Sequence, residues 1–195
     1  MGQTPTTLEH PIDIMDLIHS ALRNEGAKLE ESIRRLDFDQ SLQLIRLDFI
    51  RWAAALMFHA EQEDQYMTPL LVGSNAAKDS EAEHAELTYR LEEVNRVFDE
   101  EIGRTKLIAR THRHLYGAIV ALRISQDDHL ESEEAFVLPE IRECLGKVEQ
   151  TQIVQRLLID EQAADQGWVV DWLGHSLESP EREILANLQG ILLPK

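Results

Sequence analysis

The chain has 195 residues, 43% of them apolar, enough for one domain with a buried core and a small extension. Its net charge of -17 repels phosphate backbones and anionic lipid, which argues against nucleic acid and membrane surfaces as partners. Cys144 is the single cysteine, so the chain offers neither an intrachain disulfide nor a multi-cysteine metal site, and that thiol is expected to be inert.

No apolar run approaches a membrane span, and the chain does not open with a basic segment followed by an apolar one; a cytoplasmic location is expected. The pattern reads as helix, with Gly and Pro gathered at joints such as Pro11, Pro69, Gly73, Pro139, Gly146 and Pro180. The first helix should run from Pro11 to Arg35, because a proline's missing N–H is not needed in a first turn. Its inward stripe is Ile12, Met15, His19, Leu22, Gly26, Leu29 and Ile33. The second should run from Asp39 to Leu71, capped by Asp39 or Ser41, with Phe49, Trp52, Leu56, His59, Glu63, Tyr66 and Leu70 on its stripe. The third, from Ser80 to Glu100 with an acidic first turn, places His84 in line with Leu87, Leu91, Val94 and Phe98. The fourth, from Thr105 to Cys144 with an irregularity near Pro139, aligns His112, Leu122, Gln126, His129, Glu133 and Phe136. Apolar steps of three and four are the mark of helices packed side by side. The expectation is all-α: an up-down four-helix bundle over residues 1–148. A helical extension over 149–195 should contain Ile153–Trp172 and Pro180–Leu193, the latter capped by Ser179. That extension should pack on the bundle or on a partner subunit, which leaves a homodimer open.

One device is written twice. His59–Glu63–Tyr66–Pro69 repeats in register as His129–Glu133–Phe136–Pro139. Residues four apart share a helix face, so each copy aims one imidazole and one carboxylate the same way. A lone histidine, His19 or His84, precedes each copy by a similar interval. In antiparallel hairpins the start of one helix lies beside the end of the next, which brings all six residues to one end of the bundle. All six occupy stripe positions otherwise held by Leu or Ile. Buried unpaired carboxylates cost several kcal/mol or neutralise (~2–7 kcal/mol even for a neutral polar group). A pair of cations would compensate them.

The other candidates have plainer readings. His10 lies half a revolution from His19 and should not share the site, His112 should be structural, and His114 and His175 should be surface groups. Glu61 and Glu134 neighbour the motif residues but should point away from the centre, toward supporting or surface roles. Tyr66 is expected as a core aromatic with its hydroxyl satisfied, or else in a hydrogen bond to a metal ligand or in contact with the metal. Phe49 and Trp52 should shield the site from water.

The order lone His, His-x-x-x-Glu, lone His, His-x-x-x-Glu over four helices resembles the hemerythrin-like (HHE cation-binding) domain, across roughly residues 10–145. The resemblance implies a non-haem di-iron centre with ligands His19, His59, Glu63, His84, His129 and Glu133. The two glutamates would bridge the irons, with an oxo or hydroxo group usually completing the bridge. The oxygen-carrying hemerythrins place two histidines four apart on the third helix, whereas Ser80 and Thr88 stand four away from His84. They also use an aspartate on the last helix where this chain has Glu133. The missing histidine would open a position to water or substrate, which leans away from simple oxygen carriage toward chemistry at the metal or sensing.

Imidazole and carboxylate suit iron, with zinc or manganese as options. A chamber inside a bundle admits only small ligands: dioxygen, peroxide, nitric oxide or water. The favoured expectation is therefore a protein that binds, senses or transforms such a molecule. The alternative is a metal-responsive interaction module without turnover.

Overall fold

The computed structural model describes residues 8–36, 42–71, 75–101 and 108–192. The chain enters its first helix through a 3-10 turn, Pro11–Asp13, held by the Asp13 carboxylate. That carboxylate accepts the N–H groups of His10 (2.9 Å) and Glu9 (3.2 Å), leaving Pro11 where no donor is needed. The helices that follow are α1 (Ile14–Arg34), α2 (Leu42–Tyr66), α3 (Asn75–Glu101) and α4 (Ala109–Ser132). Helix α1 lies against α2 and α4, and α3 lies against the same two, closing a four-helix bundle. No strand occurs among the described residues, and none of their helices is long and apolar enough to cross a membrane.

The inward stripes meet as expected through the middle of the bundle. Leu22, Ile33, Phe49, Trp52, Leu56, Leu87, Phe98 and Leu115 are essentially inaccessible. Each such side chain contributes ~1.5–3 kcal/mol, the driving force that tolerates a polar centre at one end. Gly26 has a steric role: a Cβ there would lie 2.9 Å from Trp52 Cζ2. Only hydrogen at that position lets the Trp52 indole cross to α4, where its N–H donates to the buried Gln126 Oε1 at 2.9 Å.

The helix ends depart from the sequence expectation. Helix α3 begins at Asn75 rather than Ser80, and Ser80 is a buried helical residue, not an entry position. The caps proposed at Asp39 and Ser41, and the start proposed at Thr105, lie outside the described residues. After Glu63 and after Glu133 the α-helix stops being regular. Helix α2 ends at Tyr66 and passes into a 3-10 turn, Thr68–Leu71. Helix α4 widens into a π turn, Glu133–Val137, in which the Leu138 N–H reaches back to the Glu133 carbonyl, before α5 (Leu138–Cys144). A proline inside an α-helix meets the carbonyl four residues back; the wider turn ahead of Pro139 relieves that contact.

At both joints the buried positions fall one residue later than the expected stripe. Phe136 and Leu70, expected inside, are 65% and 50% exposed. The buried residues are instead Met67 and Leu71 in one copy, Val137 and Ile141 in the other, four and eight positions after each glutamate.

The single helix expected over Ile153–Trp172 is two: α6 (Lys147–Leu158) and α7 (Trp168–Ser176). Asp160 breaks it, because its carboxylate accepts the N–H groups of Gln162 (3.0 Å) and Ala163 (3.1 Å) and the Trp168 indole N–H (2.9 Å). The last helix, α8, spans Ser179–Leu192, so Glu178, not Ser179, stands at its entry; the Glu178 N–H donates to Glu181 at 3.2 Å. Helix α6 packs on the Pro11–Asp13 turn and on α2, α7 packs on α1, and α8 packs on α6 and α7.

Candidate metal centre

His19 stands near the start of α1, His59 and Glu63 near the end of α2, His84 early in α3, His129 late in α4, and Glu133 opens the π turn. The structure brings all six together. Their relative exposures are 0%, 3%, 1%, 7%, 0% and 1% in that order, so each imidazole and carboxylate has left water.

They form two groups that share both glutamates. His19, His59, Glu63 and Glu133 make one; Glu63, His84, His129 and Glu133 make the other; within each, the donor atoms lie within 4.8 Å of one another. In the first, Glu133 Oε2 is 3.3 Å from His19 Nε2 and 3.6 Å from His59 Nε2, while Glu63 Oε1 is 3.0 Å from His59 Nε2. In the second, Glu63 Oε2 is 3.4 Å from His84 Nε2 and 3.6 Å from His129 Nε2, and Glu133 Oε2 is 3.7 Å from His129 Nε2. Each glutamate therefore reaches both pairs of histidines.

Three of the four imidazoles rest on a carboxylate behind them. The His19 Nδ1–H donates to Glu134 Oε1 (2.8 Å), that of His84 to Asp64 Oδ1 (2.8 Å) and that of His129 to Glu83 Oε2 (3.1 Å). Such contacts select the tautomer whose Nε2 lone pair faces the centre, and they raise its basicity. Asp64 and Glu83 were not singled out by sequence, whereas Glu134 takes the supporting role expected of it, behind His19 and not in the centre. The repeat held the missing signal: an acidic residue follows each motif glutamate, and Glu83 directly precedes His84.

The cluster demands positive charge. Burial opposes protonation of His19, but the Glu133 and Glu134 carboxylates beside its ring outweigh it and push that group up to about 9. Burial likewise opposes charge on His129, but the nearby Glu63 and Glu83 carboxylates push it up to about 10. His84 is raised for the same reason: burial is outweighed by the nearby Glu63 carboxylate. Burial would lift Glu63, but the imidazoles of His59, His129 and His84 hold it well below the usual carboxylate range. Burial also acts against Glu134, yet His19 and Arg23 bring it down to about 2.

The donor set fits metal cations. Among buried polar atoms without a hydrogen-bond partner are His19 Nε2, His59 Nε2, both Glu63 oxygens and Glu133 Oε2, all of which point into the centre. Such atoms are costly unless something satisfies them. His84 Nε2 and His129 Nε2 face each other at 3.3 Å. With both Nδ1 atoms donating to carboxylates, two lone pairs meet there, an arrangement that a cation or a proton relieves. Nitrogen and carboxylate donors without thiolate suit iron, manganese and zinc.

The remaining candidates lie elsewhere. The half-buried Tyr66 ring packs against the Arg156 guanidinium at 5.6 Å, so the structure places it beside α6 and not in the centre. His112 Nε2 donates to the Ile33 carbonyl (2.7 Å), a structural tie, and His175 Nδ1 to the Asp171 carbonyl (2.6 Å) on the surface. His10 belongs to the entry turn, while His114, Glu61 and Cys144 are exposed. Phe49 and Trp52 fill the bundle core, where Phe49 also meets Phe98 with ring centroids 5.4 Å apart.

Among curated proteins and among solved structures, none matches the chain. The family model of the hemerythrin HHE cation-binding domain matches residues 10–141, the span that carries the four bundle helices and all six converging residues. The chain belongs to the hemerythrin HHE cation-binding domain family.

Proposed function

We propose that the chain is a di-iron protein that binds, senses or transforms a small oxygen or nitrogen species: dioxygen, peroxide or nitric oxide. The observation that carries this reading is the sharing of Glu63 and Glu133 between two groups, each with its own pair of histidines. Carboxylates placed this way hold two ions close enough to act on one ligand, ~3.5–4 Å apart. The ligands would be His19 and His59 for one ion and His84 and His129 for the other. Two bridged irons supply binding and redox activation of small molecules. The protein contributes fewer donors than two octahedral ions require, which leaves room for an external ligand. The depth of the cluster restricts that ligand to a few atoms, and Asp64, Glu83 and Glu134 hold the rings in place while they accept it.

The test is iron content of protein made in its native host, followed by absorption spectra with azide, peroxide or nitric oxide. Two irons per chain and a spectrum that responds to such ligands is the expected result. Full iron with no response to any of them rejects ligand binding, and stoichiometric zinc or manganese rejects iron.

A second reading, a metal-responsive module without turnover, is favoured by one contact. Helix α6 packs on the turn that opens α1 and on α2, the elements that bring His19, His59 and Glu63 to the centre. Metal occupancy would then set how firmly α6 docks. Hydrogen exchange over residues 147–158, compared with and without chelator, tests it; identical protection in both states eliminates it.

A further inference from the structure

The internal repeat predicts four carboxylates behind four histidines, and the fourth is missing. In the second half, Glu83 directly precedes His84 in sequence and supports His129. Its counterpart in the first half, directly preceding His19, is Ile18, which is 3% exposed. Ile18 has no acceptor to offer, and His59 Nδ1 is a buried atom without a hydrogen-bond partner. A second asymmetry acts the same way. Glu134, which supports His19, also accepts the Arg23 guanidinium on the same oxygen, Oε1, at 2.6 Å. Its negative charge is divided between two donors, whereas Asp64 and Glu83 bond His84 and His129 respectively.

We propose that the two cation positions are inequivalent, the one at His84 and His129 filling first and holding its ion more tightly, the one at His19 and His59 filling last. This rests on the two-ion reading above. The cause is chemical. An Nδ1–H donated to a carboxylate makes the opposite nitrogen a stronger donor and fixes its ring; losing such a partner typically weakens metal binding by ~10–100-fold. His59 has no such partner behind its ring, at Nδ1. The chain therefore has a stable one-ion state, and a second ion arrives only at higher metal concentration.

The test is an anaerobic calorimetric titration of the metal-free full chain with ferrous ion, with ion content counted separately after desalting. Two steps separated by ~10–100-fold are expected. The His59→Ala variant should lose only the weak step, and His84→Ala the tight one. Glu83→Ile, which copies into the second half the residue found in the first, should weaken the tight step until the two merge. Ile18→Glu should strengthen the weak step; if that buried substitution prevents folding, Glu83→Ile carries the test alone. Two ions bound with equal affinity, or a tight step abolished by His59→Ala and kept in His84→Ala, overturn the inference while the two-ion reading stands. A single ion, lost in His84→Ala and kept in His59→Ala, supports the order of affinities but ends the two-ion reading. No binding by any form ends both.

Discussion

His84 and His129 meet nitrogen to nitrogen at 3.3 Å, on adjacent helices, and each ring is braced from behind by its own carboxylate. Neither neutral ring can donate to the other without giving up its brace. A positive charge between them, as proton or as metal, resolves the conflict, and several consequences can be measured.

The first is a pH dependence of the metal-free protein. His19 and His129 rise from 6.5 when unfolded to about 9 and about 10 when folded. A raised histidine binds its proton more tightly in the folded state, so its stabilisation is fully present below pH 6.5 and is lost as pH climbs through about 9 to 10. Chelator-treated protein should therefore denature at progressively lower urea concentration between pH 7 and pH 10, and metal binding near pH 7 should release protons. A flat midpoint over that range, together with calorimetric enthalpies that do not depend on the buffer, contradicts this.

Glu133 serves both groups, so Glu133→Ala should damage both cation positions, whereas His59→Ala should damage one. Metal content measured by mass spectrometry should be lower in Glu133→Ala. A ligand at a hundredfold excess over its Kd stabilises the folded state by ~2.7 kcal/mol. The melting-temperature gap between wild type and Glu133→Ala should accordingly be wide with metal present and narrow in chelator. An equal gap under both conditions assigns Glu133 a packing role.

Gly26→Ala should destabilise the bundle without touching the centre. The added methyl must displace the Trp52 ring, and overpacking of this kind costs ~1–3 kcal/mol. The shift also strains the indole bond to Gln126, so tryptophan fluorescence should change. Metal stoichiometry should stay intact in the folded fraction. An unperturbed denaturation midpoint would show that Trp52 can yield at no cost.

Tyr66→Phe should leave metal content and any metal-dependent absorption unchanged, because the ring lies against Arg156, toward α6. Loss of either signal would bring the hydroxyl back to the centre.

What sequence alone determined follows from helical periodicity, which is local. Residues four apart share a face whatever surrounds them, so His59 with Glu63 and His129 with Glu133 were legible as pairs. Their place on apolar stripes made convergence at one bundle end legible too. Tertiary structure decided the rest, because the deciding contacts join helices far apart in sequence. Glu134 reaches His19, Asp64 reaches His84 and Glu83 reaches His129 only once the helices are rotated and set in depth by packing. Periodicity also fails where the backbone leaves the α-helix. The π turn before Pro139 shifts the buried stripe by one residue, turning Phe136 outward and Val137 inward, and in the first copy Leu70 turns outward where α2 gives way to the 3-10 turn. The break at Asp160 is of the same kind, a side chain capturing backbone N–H groups that an apolar pattern had assigned to a continuous helix.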